Sequence, residues 1–208
     1  MPRLIDLTRP LSSTTPPWPG DVGVSLIHHA RISDGYSCNV GQLTLSLHNG
    51  THADAPFHYS DHGATIDQIP LETYLGPVWV IEASGRPALT TDLFANLDFT
   101  RAPRVLIRTG AWSNPTRFPT AWPVLAPGVA AHLGAAGVKL IGLDAPSVDE
   151  LTSKDLANHH ALHRADIVII ENLDLSAAPL GCHELIAAPL RLVGGDGSPL
   201  RAVLRVAN

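Results

Sequence analysis

Short apolar runs separated by turn-forming residues dominate the chain, and most of them read as strands. Runs rich in Val, Ile and Leu occupy 4–7, 24–32, 43–48, 78–83, 105–109, 138–143, 167–173, 184–192 and 202–206, bounded by Gly, Pro or Asp. Within 43–48, Leu43, Leu45 and Leu47 alternate with Thr44, Ser46 and His48, the pattern of a strand with one polar face. The runs at 138–143 and 167–170 lack alternation, which predicts strands covered on both faces. Helical pattern is rarer. The segment 127–136 opens on Pro127 and stops at Gly137, and 153–165 begins with a serine cap candidate. A third, short helix is predicted at 91–97. Helix, strand, helix and strand follow one another from 127 to 173, which is α/β connectivity, whereas the N-terminal half reads as β-hairpins. The expected fold class is α/β, a mixed single domain over 1–208 with several β layers and few helices.

Composition narrows the function. The net charge is −5, with no block of like charge, so neither nucleic acid nor an anionic membrane surface is expected as a partner. Proline breaks up the first 20 residues and no later apolar stretch reaches spanning length, so neither a signal peptide nor a membrane span is expected. Cys38 and Cys182 fall in no paired motif; a disulfide framework is not indicated and a cytoplasmic location fits. The 18 prolines and 17 glycines imply many turns, and the 11 histidines are unevenly placed.

The chemistry concentrates at His48-Asn49-Gly50-Thr51-His52-Ala53-Asp54-Ala55-Pro56-Phe57-His58-Tyr59. His48 leaves the polar face at the end of the predicted strand 43–48, and Gly50 permits a sharp bend. His52 and Asp54 are two apart, so in extended chain they point the same way. Asn49, Gly50, Thr51 and Pro56 argue against a helix, which favours a strand–turn–strand presentation. Imidazoles with a carboxylate suit zinc; manganese or iron share that donor chemistry. One histidine here would read as a solvated loop residue, but three with an aspartate between Gly and Pro point to a metal.

A second cluster, His159-His160 with His163, lies on the predicted helix 153–165. Glu171 follows the apolar run Ile167-Val168-Ile169-Ile170, where a buried carboxylate needs a partner or a metal, unless the strand ends in water. Asp54 or Glu171 could each bridge two ions, since a carboxylate has two oxygens. Trp18, in Pro17-Trp18-Pro19-Gly20-Asp21, reads as turn packing or as an aromatic wall over a substrate. Asp144-Ala145-Pro146-Ser147 follows a buried-type strand, where α/β proteins place functional loops, and His28 and His29 fall in a half-exposed strand. No phosphate loop, dinucleotide fingerprint or serine nucleophile elbow is found.

At these residues the chain resembles the cyclase family of metal-dependent hydrolases, and within it the formamidase branch. The resemblance runs over essentially the whole chain: 17–21, 48–59, 141–147, 153–154, 159–160, 170–173, 184–190 and 198–202. It implies a compact β/β/α swivelling-type domain, usually a homodimer, acting on a small-molecule amide with two zinc ions per subunit, manganese being the alternative metal. By the same resemblance His48, His52 and Asp54 bind one ion, Asp54 and Glu171 bridge, and His159 completes the second site, with His160 and His163 as alternatives. His58 resembles the general acid/base and Trp18 a substrate contact. The implied reaction is hydrolysis of N-formyl-L-kynurenine to L-kynurenine and formate. Opening of isatin or a cyclic imide is the related alternative, and a non-catalytic metal-binding protein is the alternative from another class. Cys182-His183 departs from the family pattern, in which a different, often aromatic, residue is expected, a change able to alter the pocket wall.

Overall fold

A computed structural model describes residues 3–206. In chain order its strands are β1 (Arg3–Asp6), β2 (Ser25–Ala30), β3 (Val40–Thr44), β4 (His52–Asp54), β5 (Leu75–Glu82), β6 (Arg104–Arg108), β7 (Leu140–Leu143), β8 (Val168–Glu171), β9 (Gly181–Ile186), β10 (Gly197–Pro199) and β11 (Val203–Val206). Helix α1 (Val129–Ala135) lies between β6 and β7, and α2 (Ala157–Arg164) between β7 and β8. Nine strands form one sheet in the order β1-β11-β9-β5-β6-β7-β8-β4-β10, while β2 and β3 pair separately. The run β5-β6-β7-β8 is parallel, and α1 and α2 supply its last two crossovers. The flanking pairs are antiparallel. An isolated bridge from Thr8 to Leu173 ties the chain after β1 to the chain after β8, so the sheet curls back on itself.

The central strands are covered on both faces because their apolar residues alternate between two cores. Leu106, Leu140 and Ile170 face inside the curl with Val78, Leu185 and Leu204. Val105, Ile107, Ile141, Leu143 and Ile169 face outward beneath Val129 and Leu133 of α1 and Leu162 of α2. Gly142 has no room for a side chain, since a Cβ would lie 2.5 Å from Leu106 and 2.8 Å from Leu173. The expectation of an α/β domain with few helices is met, and 138–143 and 167–170 are buried strands as their unbroken hydrophobicity predicts.

Several boundaries differ for local reasons. The predicted strand 43–48 ends at Thr44, because the Ser46 carbonyl accepts the Asn49 N–H and the Ser46 hydroxyl accepts the His48 N–H, a turn that competes with the ladder. His48 therefore sits in a turn, not at a strand end. Strand 184–192 leaves the sheet after Ile186, before Pro189, which has no N–H to give. The helix predicted at 153–165 begins at Ala157, and 91–97 holds only a single 3-10 turn, Thr91–Phe94. The β2–β3 hairpin is exposed along nearly its whole length, not half-buried as 24–32 predicts. Cys38 and Cys182 are free thiols. Among the described residues, no helix is long and apolar enough to cross a membrane.

Candidate metal centre

Strand register builds the centre. In the β4–β8 pair, His52 stands opposite Glu171 and Ala53 opposite Ile170. Ala53 and Ile170 point into the inner core, so the period-2 alternation sends His52, Asp54 and Glu171 to the opposite face. Helix α2 covers that face, with His159 and Leu162, three apart, as its buried residues. His160 and His163 face elsewhere and pack beside the Tyr59 ring, each with centroids 5.7 Å away. The turn between β3 and β4 then carries His48 over the same point. Gly50 makes that turn with φ 63°, and a Cβ there would lie 2.5 Å from Leu11.

The polar atoms converge on one another. Asp54 Oδ1 lies 3.0 Å from His48 Nδ1 and 3.2 Å from His52 Nε2, and Asp54 Oδ2 lies 3.4 Å from His159 Nε2. Glu171 faces the same two imidazoles, with Oε2 3.7 Å from His52 Nε2 and Oε1 3.7 Å from His159 Nε2. Each of these imidazoles is oriented from its far side. His52 Nδ1 donates to the Gly50 carbonyl at 3.0 Å, His159 Nδ1 donates to Asp149 Oδ2 at 2.7 Å, and His48 Nε2 donates to Asp196 Oδ2 at 3.0 Å. The remaining ring nitrogens of His52 and His159 thus face two carboxylates, and each has a lone pair for a cation once its ring is neutral.

Such a set is self-repulsive unless a cation or protons sit among it, and it fits a metal on two further observations. His52 Nε2 and Asp54 Oδ2 are buried with no hydrogen-bond partner. Ligand atoms of His52, Asp54 and Glu171, and separately of His48, Asp54 and His58, lie within 4.8 Å of one another. The electrostatics agree. Burial opposes charge on His48, but its bonds to Asp196 and Asp54 prevail and raise its pKa to about 10. Burial likewise opposes charge on His159, and Asp149 and Asp54 raise it to about 10. Burial and the neighbouring Asp54 charge push Glu171 upward, whereas the three imidazoles facing Asp54 overcome burial and hold it low.

A cavity of about 420 Å³ opens onto this donor set, lined by His48, His52, His58, His159 and Glu171, with Trp18 and Phe118 as its aromatic wall. Trp18 packs edge-on to Phe118 at 5.5 Å and to Trp122 at 6.1 Å. His58 ends the 3-10 turn Pro56–His58; its ring lies 3.9 Å from that of His48, and its Nδ1 lies 3.7 Å from Asp196 Oδ2. A larger cavity of about 1110 Å³ lies in the cleft between α1 and α2 and is lined by none of these histidines. The smaller one holds the titratable, convergent groups and is the chemically meaningful one.

A family model described as putative cyclase matches residues 5–150. The chain belongs to the cyclase family. Among its relatives, the kynurenine formamidase of Geobacillus thermodenitrificans is 45% identical, across 97% of this chain and 96% of that protein. A solved structure described as a potential metal-dependent hydrolase with cyclase activity superposes with a TM-score of 0.85 at 27% identity, covering all of both chains. Isatin hydrolase A from Labrenzia aggregata, solved with benzyl benzoate, superposes with a TM-score of 0.82 at 26% identity, covering 100% of this chain and 94% of that one.

In this cyclase-family chain, the seven residues to which the resemblance gives a role line or adjoin one site: His48, His52, Asp54, His58, His159, Glu171 and Trp18. Cys182 and His183 lie on β9, opposite Trp79 and Val78, and do not line the cavity, so that departure does not alter the pocket wall. The 144–147 loop divides its work. Asp144 is buried and accepts the Thr109 and Gly110 N–H groups, while Pro146 and Ser147 line the cavity. Asp149, Asp196 and Phe118 carry no sequence signal of comparable strength. Asp149 also accepts the Asn158 and His159 N–H groups, replacing the cap that Leu156 lacks, so one carboxylate starts α2 and orients its histidine.

Proposed function

We propose that this chain is an arylformamidase that hydrolyses N-formyl-L-kynurenine to L-kynurenine and formate in cytoplasmic tryptophan degradation, with residues 1–208 acting as one domain. The observation that carries the substrate is the 45% identity to a kynurenine formamidase over 97% of the chain. Its support in the structure is an aromatic wall facing a buried set of imidazoles and carboxylates across one cavity. In this reading His48, His52 and Asp54 would hold one zinc ion and His159 a second, with Asp54 and Glu171 as carboxylate ligands within reach of both. Three imidazoles with two carboxylates suit zinc, and manganese accepts the same donors.

When bound, a metal of this kind supplies the Lewis acidity that brings the pKa of water down to about 7. The chain's own groups do the rest. Trp18 and Phe118 take the aryl ring and place the formamide over the donor set. His58, whose pKa burial lowers, is unprotonated at neutral pH and takes a proton from the attacking water. The water oxygen bonds to the formyl carbon. As the C–N bond breaks, His58 returns its proton to the aryl nitrogen, which leaves as a neutral amine. Formate carries away both oxygens, and the remaining proton passes to solvent.

Zinc-loaded protein is expected to convert formylkynurenine to kynurenine and to turn over isatin poorly, read by product chromatography with both substrates in parallel. The likeness to isatin hydrolase A gives the second substrate its place in the assay. Faster turnover of isatin would reassign the substrate, and metal uptake without turnover of either would indicate a binding protein.

The subunit is read as half of a homodimer joined through β2 and β3. A lone two-stranded hairpin is marginal in water, yet this one leaves Leu26 61% and Leu43 50% exposed. Sedimentation is expected to give twice the mass of one chain, and Leu26→Glu to shift it to one; a wild-type monomer at micromolar concentration would remove the dimer from the reading.

A further inference from the structure

Asn172 follows Glu171 directly, and its backbone has φ 59°, in the left-handed region. Asparagine often occupies that region because its short side chain bonds to nearby backbone. Here that reason is missing, since Asn172 is 4% exposed and its Oδ1 is buried without a hydrogen-bond partner. The backbone needs no help from the side chain. The Asn172 N–H donates to the Ala145 carbonyl at 3.0 Å, and its carbonyl accepts the Thr51 hydroxyl at 2.7 Å. Glycine would serve this conformation at no steric cost, so the carboxamide is an extra group held at a fixed point. That point is the wall of the 420 Å³ cavity, shared with Trp18, His58 and Glu171.

We infer that the Asn172 carboxamide is a catalytic contact to the formamide under attack, donating a hydrogen bond to the former carbonyl oxygen as negative charge gathers there. The inference rests on the formamidase reading. It follows from the chemistry of the donor set: the carboxylates and the lone pairs of the metal-facing imidazoles all accept, and a developing oxyanion needs a donor fixed beforehand. A primary amide supplies that donor without titrating.

Asn172→Gly keeps the backbone geometry and removes only the carboxamide. In zinc-loaded protein with unchanged metal content and melting temperature, kcat on formylkynurenine is expected to fall about 10²-fold while KM changes little. An unchanged kcat, or a raised KM alone, would overturn the inference, because either places the side chain outside the transition state. Wild-type protein without turnover would instead remove the formamidase reading itself. Should the variant lose its metal or its fold, the wild-type protein still decides the matter. Its Asn172 side-chain amide resonances, in 15N-asparagine-labelled zinc-loaded protein, are expected to shift when formate is added; resonances that stay in place would overturn the contact.

Discussion

Asp54→Ala protein is expected to purify without metal and to hydrolyse formylkynurenine about 10³-fold more slowly, or worse, than the wild type. Asp54 is the geometric hub of the centre, meeting His48, His52 and His159 at 3.0, 3.2 and 3.4 Å with a side chain only 1% exposed. No neighbour can take its place, because Glu171 approaches only His52 and His159, each at 3.7 Å. The same geometry fixes a pH dependence. In metal-free protein His48 and His159 hold protons up to about pH 10, and Glu171 is pushed toward its protonated form. Ligands bind metal only when deprotonated, so zinc uptake at pH 7 must expel these protons, and affinity must weaken as pH falls. Elemental analysis gives the metal-to-protein ratio, and an indicator dye in weak buffer gives the protons released. An alanine variant with an unchanged ratio would remove Asp54 from the centre; zinc uptake without proton release would contradict the charge states.

How much of this was readable from sequence depended on whether residues meet through local periodicity or through distant packing. His52 and Asp54 share a face because they are two apart in extended chain, and 48–59 is dense in donors; both facts survive without coordinates. Glu171 was legible through the apolar run before it, which becomes β8 and stops the carboxylate at the buried end of a central strand. The choice among His159, His160 and His163 was not, because the periodicity that separates them depends on where α2 starts, and the carboxylate of Asp149 moves that start to Ala157. Asp196 was hidden differently. It sits in Gly194-Gly195-Asp196-Gly197, which reads as a plain turn, and only the pairing of β10 with β4 brings it to His48. Gly197 belongs to the same account, since a Cβ there would lie 2.9 Å from the His48 ring. The β10 strand, Gly197–Pro199, has no apolar pattern to find.

His58→Ala is the sharper test of mechanism, because it should separate metal binding from proton transfer. The side chain is 32% exposed at the cavity, stacked 3.9 Å from His48, with Asp196 Oδ2 3.7 Å from its Nδ1 to steady the ring. General acid–base catalysis by a positioned imidazole contributes about 10²- to 10⁴-fold, so kcat/KM for formylkynurenine is expected to fall by that factor while metal content holds. Burial, the largest influence on this ring, lowers its pKa, so the wild-type rate should decline on the acid side only below the ordinary histidine range near 6.5, as the base becomes protonated. In the variant that acid limb should disappear, leaving only the titration of the metal site. The competing role is equally concrete, since His58, His48 and Asp54 carry atoms close enough together to share an ion. A variant that loses metal along with activity would make His58 a ligand, and one that keeps wild-type turnover would exclude it from both roles. Retained metal, a depressed rate and a vanished acid limb are together what only a proton-transferring histidine produces.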